Sequence, residues 1–250
     1  MFMPRSQRQQ IFVKTSTAFY ENSLVNNQRI KTGIPRPVEA AVSLIGLIIV
    51  APVLAVAAIA IVAASPGPVI FRQPRVGQHG HRFVLYKLRT MHEKNTGLQV
   101  TAGDDARVTA VGKFLRKTKL DELPELWNVF RGDMSLVGPR PEVPRYVDLE
   151  NHVWRRVLEA RPGITDPMTL RLRNEEALLA TVEGNREQFY METLQPFKLR
   201  GYVEYLDQRS WQSDIRVLTK TIIATLFPSK VPPPTEQEIV GSVPRSTKCR

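Results

Sequence analysis

At 250 residues, 42% of them hydrophobic, the chain can hold one sizeable core with appendages, and wholesale disorder is excluded. A formal net charge of +11, from 35 Lys+Arg against 24 Asp+Glu, calls for a polyanionic partner: nucleic acid, an anionic membrane face or a phosphorylated substrate. The single cysteine, Cys249, excludes an intrachain disulfide, and without a His/Cys cluster a thiolate metal site is excluded too, which fits a reducing compartment.

Residues 1–33 are polar and basic and read as a flexible tail near a membrane. From Ala40 to Ala64 no residue is charged. That run of about 25 residues makes roughly 37 Å of helix, enough to cross a bilayer. It starts too far from the N-terminus for an ordinary signal peptide, and Ser65-Pro66-Gly67-Pro68 ends it as a turn, so it is a retained anchor. Both flanks are basic: Arg29, Lys31 and Arg36 before it, and Arg72, Arg75, Arg82, Lys87 and Arg89 after it. A straight span would leave one of them outside, against the positive-inside preference. Pro52, near the middle, removes a backbone hydrogen bond. A kinked span and a hairpin that bends at Ala51-Pro52 both remain open on these residues.

"PVIFRQ" and "HRFVLYKLRTM" are β-branched and aromatic and predict strands, and His79 and His81 read as surface histidines. "DDARVTAVGKFLRKT" and "DELPELWNVF" predict helices, the second with Leu123, Leu126, Trp127 and Phe130 on its apolar face. "GDMSLVGPRPE" reads as a loop, and "EVPRYVDLENHVWRRVLEA" repeats Tyr146, Leu149, Val153 and Val157 at helical spacing. "RPGITDP" breaks the chain before helical "NEEALLATVE" and a long helical region from about Leu199 to Phe227. There the stripe Ile215, Leu218, Ile222 and Leu226 is assigned to the core, with an interfacial position as the alternative. The Pro-rich end, 229–250, reads as a second flexible tail.

Asp121 and Glu122 stand directly after Arg116, Lys117 and Lys119. The plain reading is a helix start, with Thr118 and Asp121 as a capping box. The sharper reading is an acidic catalytic pair in a cationic pocket, one carboxylate attacking phosphorus and the other helping to hold Mg2+. A helix N-terminus would favour the ionised form of both. Arg116 and Arg140 offer planar forks for phosphate oxygens, and Lys87 and Lys119 supply point charge. Pro139 and Pro141 stiffen the chain on either side of Arg140, and "RPGIT" repeats the arrangement at Arg161. Any one of these arginines alone reads as a solvated face; several near rigid loops around an acidic pair read as a diphosphate site.

"FRQPRVGQHGHRFVLYKLRTM", "VGKFLRKTKLDELPELWNVFRGDMSLVGPRPE" and "RPGIT" together resemble the bacterial sugar transferases, the monotopic polyprenyl-phosphate phosphoglycosyl transferases, from about Pro35 to about Phe227. The resemblance implies a membrane-associated α/β fold: a mostly helical catalytic domain with short strands at 69–228, interfacial helices, and a proline-broken re-entrant helix at 34–68. It implies transfer of a phosphosugar from a UDP-sugar to polyprenyl phosphate on the cytoplasmic face of a bacterial inner membrane, as the first step of glycoconjugate or exopolysaccharide assembly. Asp121 would be the nucleophile that releases UMP, and Glu122, with Asp121, would support Mg2+. Lys87, Arg89, Arg116, Arg140 and Arg161 match phosphate- or substrate-binding positions; Asp133, Pro139, Pro141 and Asp214 match supporting ones. Inner-membrane lipids would be partners, a homo-oligomer is left open, and nucleic acid is not implied.

The chain departs from the family pattern in places. Ala51-Pro52 replaces the usual Ser-Pro, Glu39 the usual aspartate, and Asp166 the usual glycine after "RPGIT". "RLRNEE" resembles one subset and reads either as donor recognition or as ion pairing among Arg171, Arg173, Glu175 and Glu176. The donor sugar stays open, and the chain looks like the minimal catalytic form. Two other classes compete. A membrane-tethered nucleic-acid binder has the charge in its favour, but no helix-turn-helix, RRM or zinc pattern appears. An inactive scaffold would not be expected to keep Asp121, Glu122, Arg116 and Arg140 together.

Overall fold

A computed structural model describes residues 30–92, 105–182 and 184–227. The tails expected at 1–33 and 229–250 lie outside these residues, apart from 30–33. The architecture is mostly helical with short strands and one apolar helix near the N-terminal end.

That helix, α1, runs Arg36–Ala64, is long and apolar enough to cross a membrane, and carries Pro52 inside it. It meets the rest of the chain at both ends. Glu39 and Ser43 are buried near its start, and Gly46 lies against Leu126. Near its finish Ala57 and Ile61 pack with Leu88 and Leu115. Between and around these points Ile48, Ile49, Val56 and Ile59 stay exposed.

The strands expected after the anchor form an antiparallel hairpin, β1 (Ile70–Val76) and β2 (Arg82–Leu88), in register from Ile70 opposite Leu88 to Val76 opposite Arg82. Helix α2 (Ala110–Thr118) is capped by Thr109, whose side chain accepts from the Gly112 amide. Gly112 sits against the Thr90 carbonyl so closely that a Cβ there would overlap it. Lys119 closes α2 in the left-handed region (φ 58), and a single 3-10 turn, Leu120–Glu122, leads to α3 (Glu125–Arg131). The capping box expected at Thr118 is not formed. The Thr118 hydroxyl donates back to the Phe114 carbonyl at 2.9 Å and caps nothing ahead of it.

The segment expected to be a loop contains a strand, β3 (Ser135–Val137), which pairs in parallel with β4 (Gly163–Thr165). Three residues each are too few for a visible alternation, so the pattern could not announce them. Helix α4 (His152–Leu158) starts later than its apolar spacing suggests, because Asn151 caps it and a 3-10 turn at Pro144–Tyr146 precedes it. Leu149 is accordingly exposed. Helices α5 (Pro167–Arg171), α6 (Glu175–Thr181) and α7 (Arg186–Phe189) follow, then one π-helical turn at Tyr190–Leu194. The long C-terminal helical region is two helices, α8 (Gln195–Gln208) and α9 (Trp211–Leu226), parted by the Ser210 capping box. Among the described side chains, the stripe assigned to the core holds only at Leu218, which packs on a core cluster: Ile215 and Ile222 are exposed, and the buried face of α9 carries Asp214, Val217 and Ala224. Asp214 recruits that face inward through Tyr205 and Arg209, which an apolar count does not weigh.

One close approach fixes the loops that matter below. Gly138 donates to the Thr165 carbonyl and Gly163 to the Pro139 carbonyl, both at 3.0 Å, and a Cβ on Gly163 would fall on the Gly138 amide. Gly163→Ala should therefore lower the thermal midpoint in detergent by about 4–10 °C, whereas Gly46→Ala, which meets only the flexible end of Leu126, should move it less. Equal midpoints for the two variants would refute this contact as a constraint.

Candidate active site

Asp121 and Glu122 lie in the 3-10 turn between α2 and α3, and the neighbouring elements bring cations to them from three directions. Strand β2 supplies Lys87. The Asn128 side-chain amide, fully buried on α3, accepts from the Tyr86 amide at 3.2 Å and donates to the Val84 carbonyl at 2.7 Å, so it completes the free edge of β2. This pairing sets α3 against the strand and places Glu125, one turn earlier on α3, beside Lys87. Lys87 Nζ stands 3.2 Å from Glu122 Oε1 and 3.1 Å from Glu125 Oε1. The loop after β3 supplies Arg140, whose Nη2 donates to the same Glu122 oxygen. Its backbone is held on one side by the glycine approach and on the other by Arg75, which donates to the Pro141 carbonyl at 3.1 Å. Helix α2 supplies Arg116, whose Nε donates to Thr90 Oγ1 and whose Nη1 donates to Glu176 Oε1, each at 2.9 Å.

The two carboxylates differ sharply in consequence. Burial pushes Glu122 up, but Arg140, Lys87 and Lys119 outweigh it and hold the carboxyl well below the usual range. Asp121 goes the other way: burial, and then the charge of Glu122, raise it to about 6 against the pull of Lys87, Lys119 and Arg116. The helix-start argument expected both acids to be favoured in their ionised form; for Asp121, desolvation wins. Its Oδ1 is buried and accepts no hydrogen bond. Glu125, 1% exposed, is raised by burial, with Lys87 as its nearest opposing charge.

The other residues singled out in the sequence are placed as follows. Arg89 is buried and donates to the carbonyls of Ser65 and Pro66, at the end of α1. Arg161 lies 3.9 Å from Glu39, whose Oε1 accepts from the Leu136 amide at 3.0 Å. Asp133 takes Asn128 and Arg131. Asp214, fully buried, accepts from Tyr205 at 2.7 Å and Arg209 at 3.0 Å, and Arg209 reaches the Val137 carbonyl. These four contacts lie on the frame behind the Asp121 pocket. The acidic pair of "RLRNEE" splits: Glu176 takes Arg116 and Glu175 takes Lys198, while Arg171 lies over the Phe197 ring. Sequence reasoning passed over Glu125, Asn128 and Thr90. Only their distance from Lys87 and Arg116 in space, which spacing does not encode, marks them.

Asp121 thus holds a buried, unpartnered oxygen under the charges of Lys87, Lys119 and Arg116, while Arg140 engages the neighbouring Glu122, an arrangement that suits attack on a phosphoryl group. A family profile described as bacterial sugar transferase matches residues 30–228. A UDP-glucose:undecaprenyl-phosphate glucose-1-phosphate transferase of Caulobacter vibrioides is 39% identical over 182 residues, 70% of this chain and 63% of that protein. A putative undecaprenyl-phosphate N-acetylgalactosaminyl 1-phosphate transferase of Bacillus subtilis is 46% identical over 117 residues, 46% of this chain and 65% of that protein. The galactosyl transferase CpsE of Streptococcus agalactiae is 33% identical over 198 residues, 74% of this chain and 40% of that protein. The chain spans less than two thirds of the length of each of these relatives. With the profile covering α1, the acidic turn and both glycine loops, the chain belongs to the bacterial sugar transferase family.

Proposed function

We propose that the chain transfers a phosphosugar from a UDP-sugar to a polyprenyl phosphate, such as undecaprenyl phosphate, through a covalent intermediate on Asp121. The buried, unpartnered Oδ1 of Asp121 carries this reading. That oxygen attacks the β-phosphorus of the donor. The bond to the bridging oxygen breaks, its electron pair leaves on UMP, and the phosphosugar remains on Asp121. An oxygen of the lipid phosphate then attacks the same phosphorus and expels the carboxylate, giving polyprenyl-diphosphate-sugar. Lys87, Arg116 and Arg140 offset the charge that builds on the phosphoryl oxygens. Initiation of glycoconjugate or exopolysaccharide assembly is the step such a product would serve.

The acidic turn also fits Mg2+. Asp121 and Glu122 are the residues that would hold it, and bound there it would neutralise phosphate charge. Among the described residues no group of three or more His, Cys, Asp or Glu is arranged to hold a metal alone, so the set suits a cation that completes its shell from substrate phosphates and water.

For the anchor, we infer a helix that enters from the cytoplasmic face and returns to it. Support comes from α1 itself: Glu39 near one end contacts β3, and Ala57 and Ile61 near the other contact β2 and α2, so both ends are tied to the rest of the chain. A straight crossing would carry one end about 40 Å away. Pro52 lies between the two contacts. Tags before Met1 and after Arg250 should both be reachable from the cytoplasm only; protection of one of them on the opposite side would mean a true span.

Single-turnover UMP release from a panel of UDP-sugars, with Mg2+ and no lipid acceptor, tests the chemistry. A stoichiometric burst with a phosphosugar adduct on Asp121 is expected, and it should stop with EDTA. Asp121→Asn should lose the burst by at least about 10³-fold while inserting and melting like the parent; near-normal release by this variant removes Asp121 as nucleophile. The same burst should fall as pH drops through about 6, because the raised Asp121 is protonated below that value and only its carboxylate attacks. Omitting the lipid keeps the acceptor phosphate's own titration, near roughly 6, out of the measurement. A burst rate flat between pH 5 and 8 would contradict the assignment.

A further inference from the structure

The cations around Asp121 are not held alike. Lys87 pairs with Glu122 and Glu125 and Arg140 with Glu122, side chains only 14% and 1% exposed, whereas Arg116 pairs with Glu176, whose side chain is 47% exposed. The Glu176 contact is not needed to place its own helix. On the same turn Glu175 takes the buried Lys198 at 3.3 Å, and Leu178 and Leu179 of α6 are core residues. Nor is it needed to keep Arg116 near Asp121. The guanidinium is tethered through Nε to Thr90 Oγ1, and Thr90 is fixed in turn by its carbonyl, which accepts from the Thr109 amide at 3.0 Å. If Glu176 let go, Nη1 would swing about a held Nε and the charge would stay at the pocket.

We propose that Glu176 is a positioning residue for Arg116, occupying one arm of its guanidinium beside Asp121 until a nucleotide phosphate exchanges with it. The inference rests on the reading of the chain as a phosphoglycosyl transferase and deepens it. A carboxylate presents two oxygens to an arginine fork much as a phosphate does. An exposed ion pair contributes little and is screened by salt, while an arginine–phosphate pair is charge-assisted and often bidentate, so the exchange favours the phosphate. Glu176 therefore competes with the donor for Arg116 and sets the donor's apparent affinity without touching the reacting atoms.

The test is UMP binding to the full chain in detergent or nanodiscs, with Mg2+ at low ionic strength, by calorimetry. Glu176→Gln should tighten UMP about three- to five-fold, the range an exposed pair accounts for, and KM for the donor should fall by a similar factor. Glu150→Gln, which removes the same charge from an exposed residue whose pair is with Arg155, should change neither. In an Arg116→Lys background the gain from Glu176→Gln should disappear. Unchanged or weakened UMP binding by Glu176→Gln overturns the proposal, and so does a gain that survives Arg116→Lys. A purely structural Glu176 would instead lower the thermal midpoint and loosen UMP together. A parent chain that fails to bind UMP removes the functional reading itself; a parent that binds it beside an indifferent Glu176→Gln removes only this inference.

Discussion

A carboxylate taken out of water must be met by cations that come from somewhere else in the chain, and in this fold that demand is concentrated at Glu122. Lys87 and Arg140 converge on one of its oxygens from a strand and a loop that are 53 positions apart (140 − 87). Removing one partner of such a buried pair costs about 3–5 kcal/mol, because the other charge is left without a counterpart. The placement of β2, α3 and the loop after β3 therefore answers to one group. Asn128 registers α3 on the edge of β2, and the glycine approach holds Arg140 in reach. Each would be a modest contact alone; together they hold two cations at a turn of three residues.

The same frame ties the apolar helix to the chemistry. Glu39, inside α1, accepts the Leu136 amide of β3, whose loop carries Arg140. At the other end Arg89 donates to the carbonyls of Ser65 and Pro66 just past α1, two residues beyond Lys87 and next to Thr90, which holds Arg116. Both ends of α1 are thus bonded to the segments that carry Lys87, Arg116 and Arg140. A membrane segment attached by a linker would leave the site free to tumble relative to the lipid. Under the proposed function this attachment would fix the site's orientation toward an acceptor confined to the bilayer.

Much of this was legible in the sequence, and the gaps have physical causes. The anchor, the hairpin and the acidic pair are local features: an uncharged run, two β-branched segments and two adjacent carboxylates. Strands β3 and β4 escaped because each is three residues long and is specified by a partner rather than by alternation. The helix-start reading of Thr118 and Asp121 failed because Lys119 takes the left-handed conformation and ends α2 before the acidic turn begins. Arg89 carried a phosphate-binding expectation from motif position, yet its guanidinium is turned to the carbonyls of Ser65 and Pro66 that follow α1. A motif fixes which residue stands at a position, whereas the direction of its side chain depends on what packs behind it.

That distinction also separates the two neighbouring acids. Side by side in sequence, Asp121 and Glu122 share one backbone turn. Glu122 is one methylene longer and reaches the convergence of Lys87 and Arg140, which fixes it as a carboxylate. Asp121 is shorter, meets no donor at Oδ1, and feels the charge of Glu122 as repulsion. Pairing Glu122 therefore does two things at once. It keeps Glu122 ionised, and it leaves the adjacent Asp121 oxygen unpartnered, which is what the proposed attack on phosphorus requires. Environments that push two carboxylates apart in this way divide their roles, and here the partners each side chain meets decide which acid takes which.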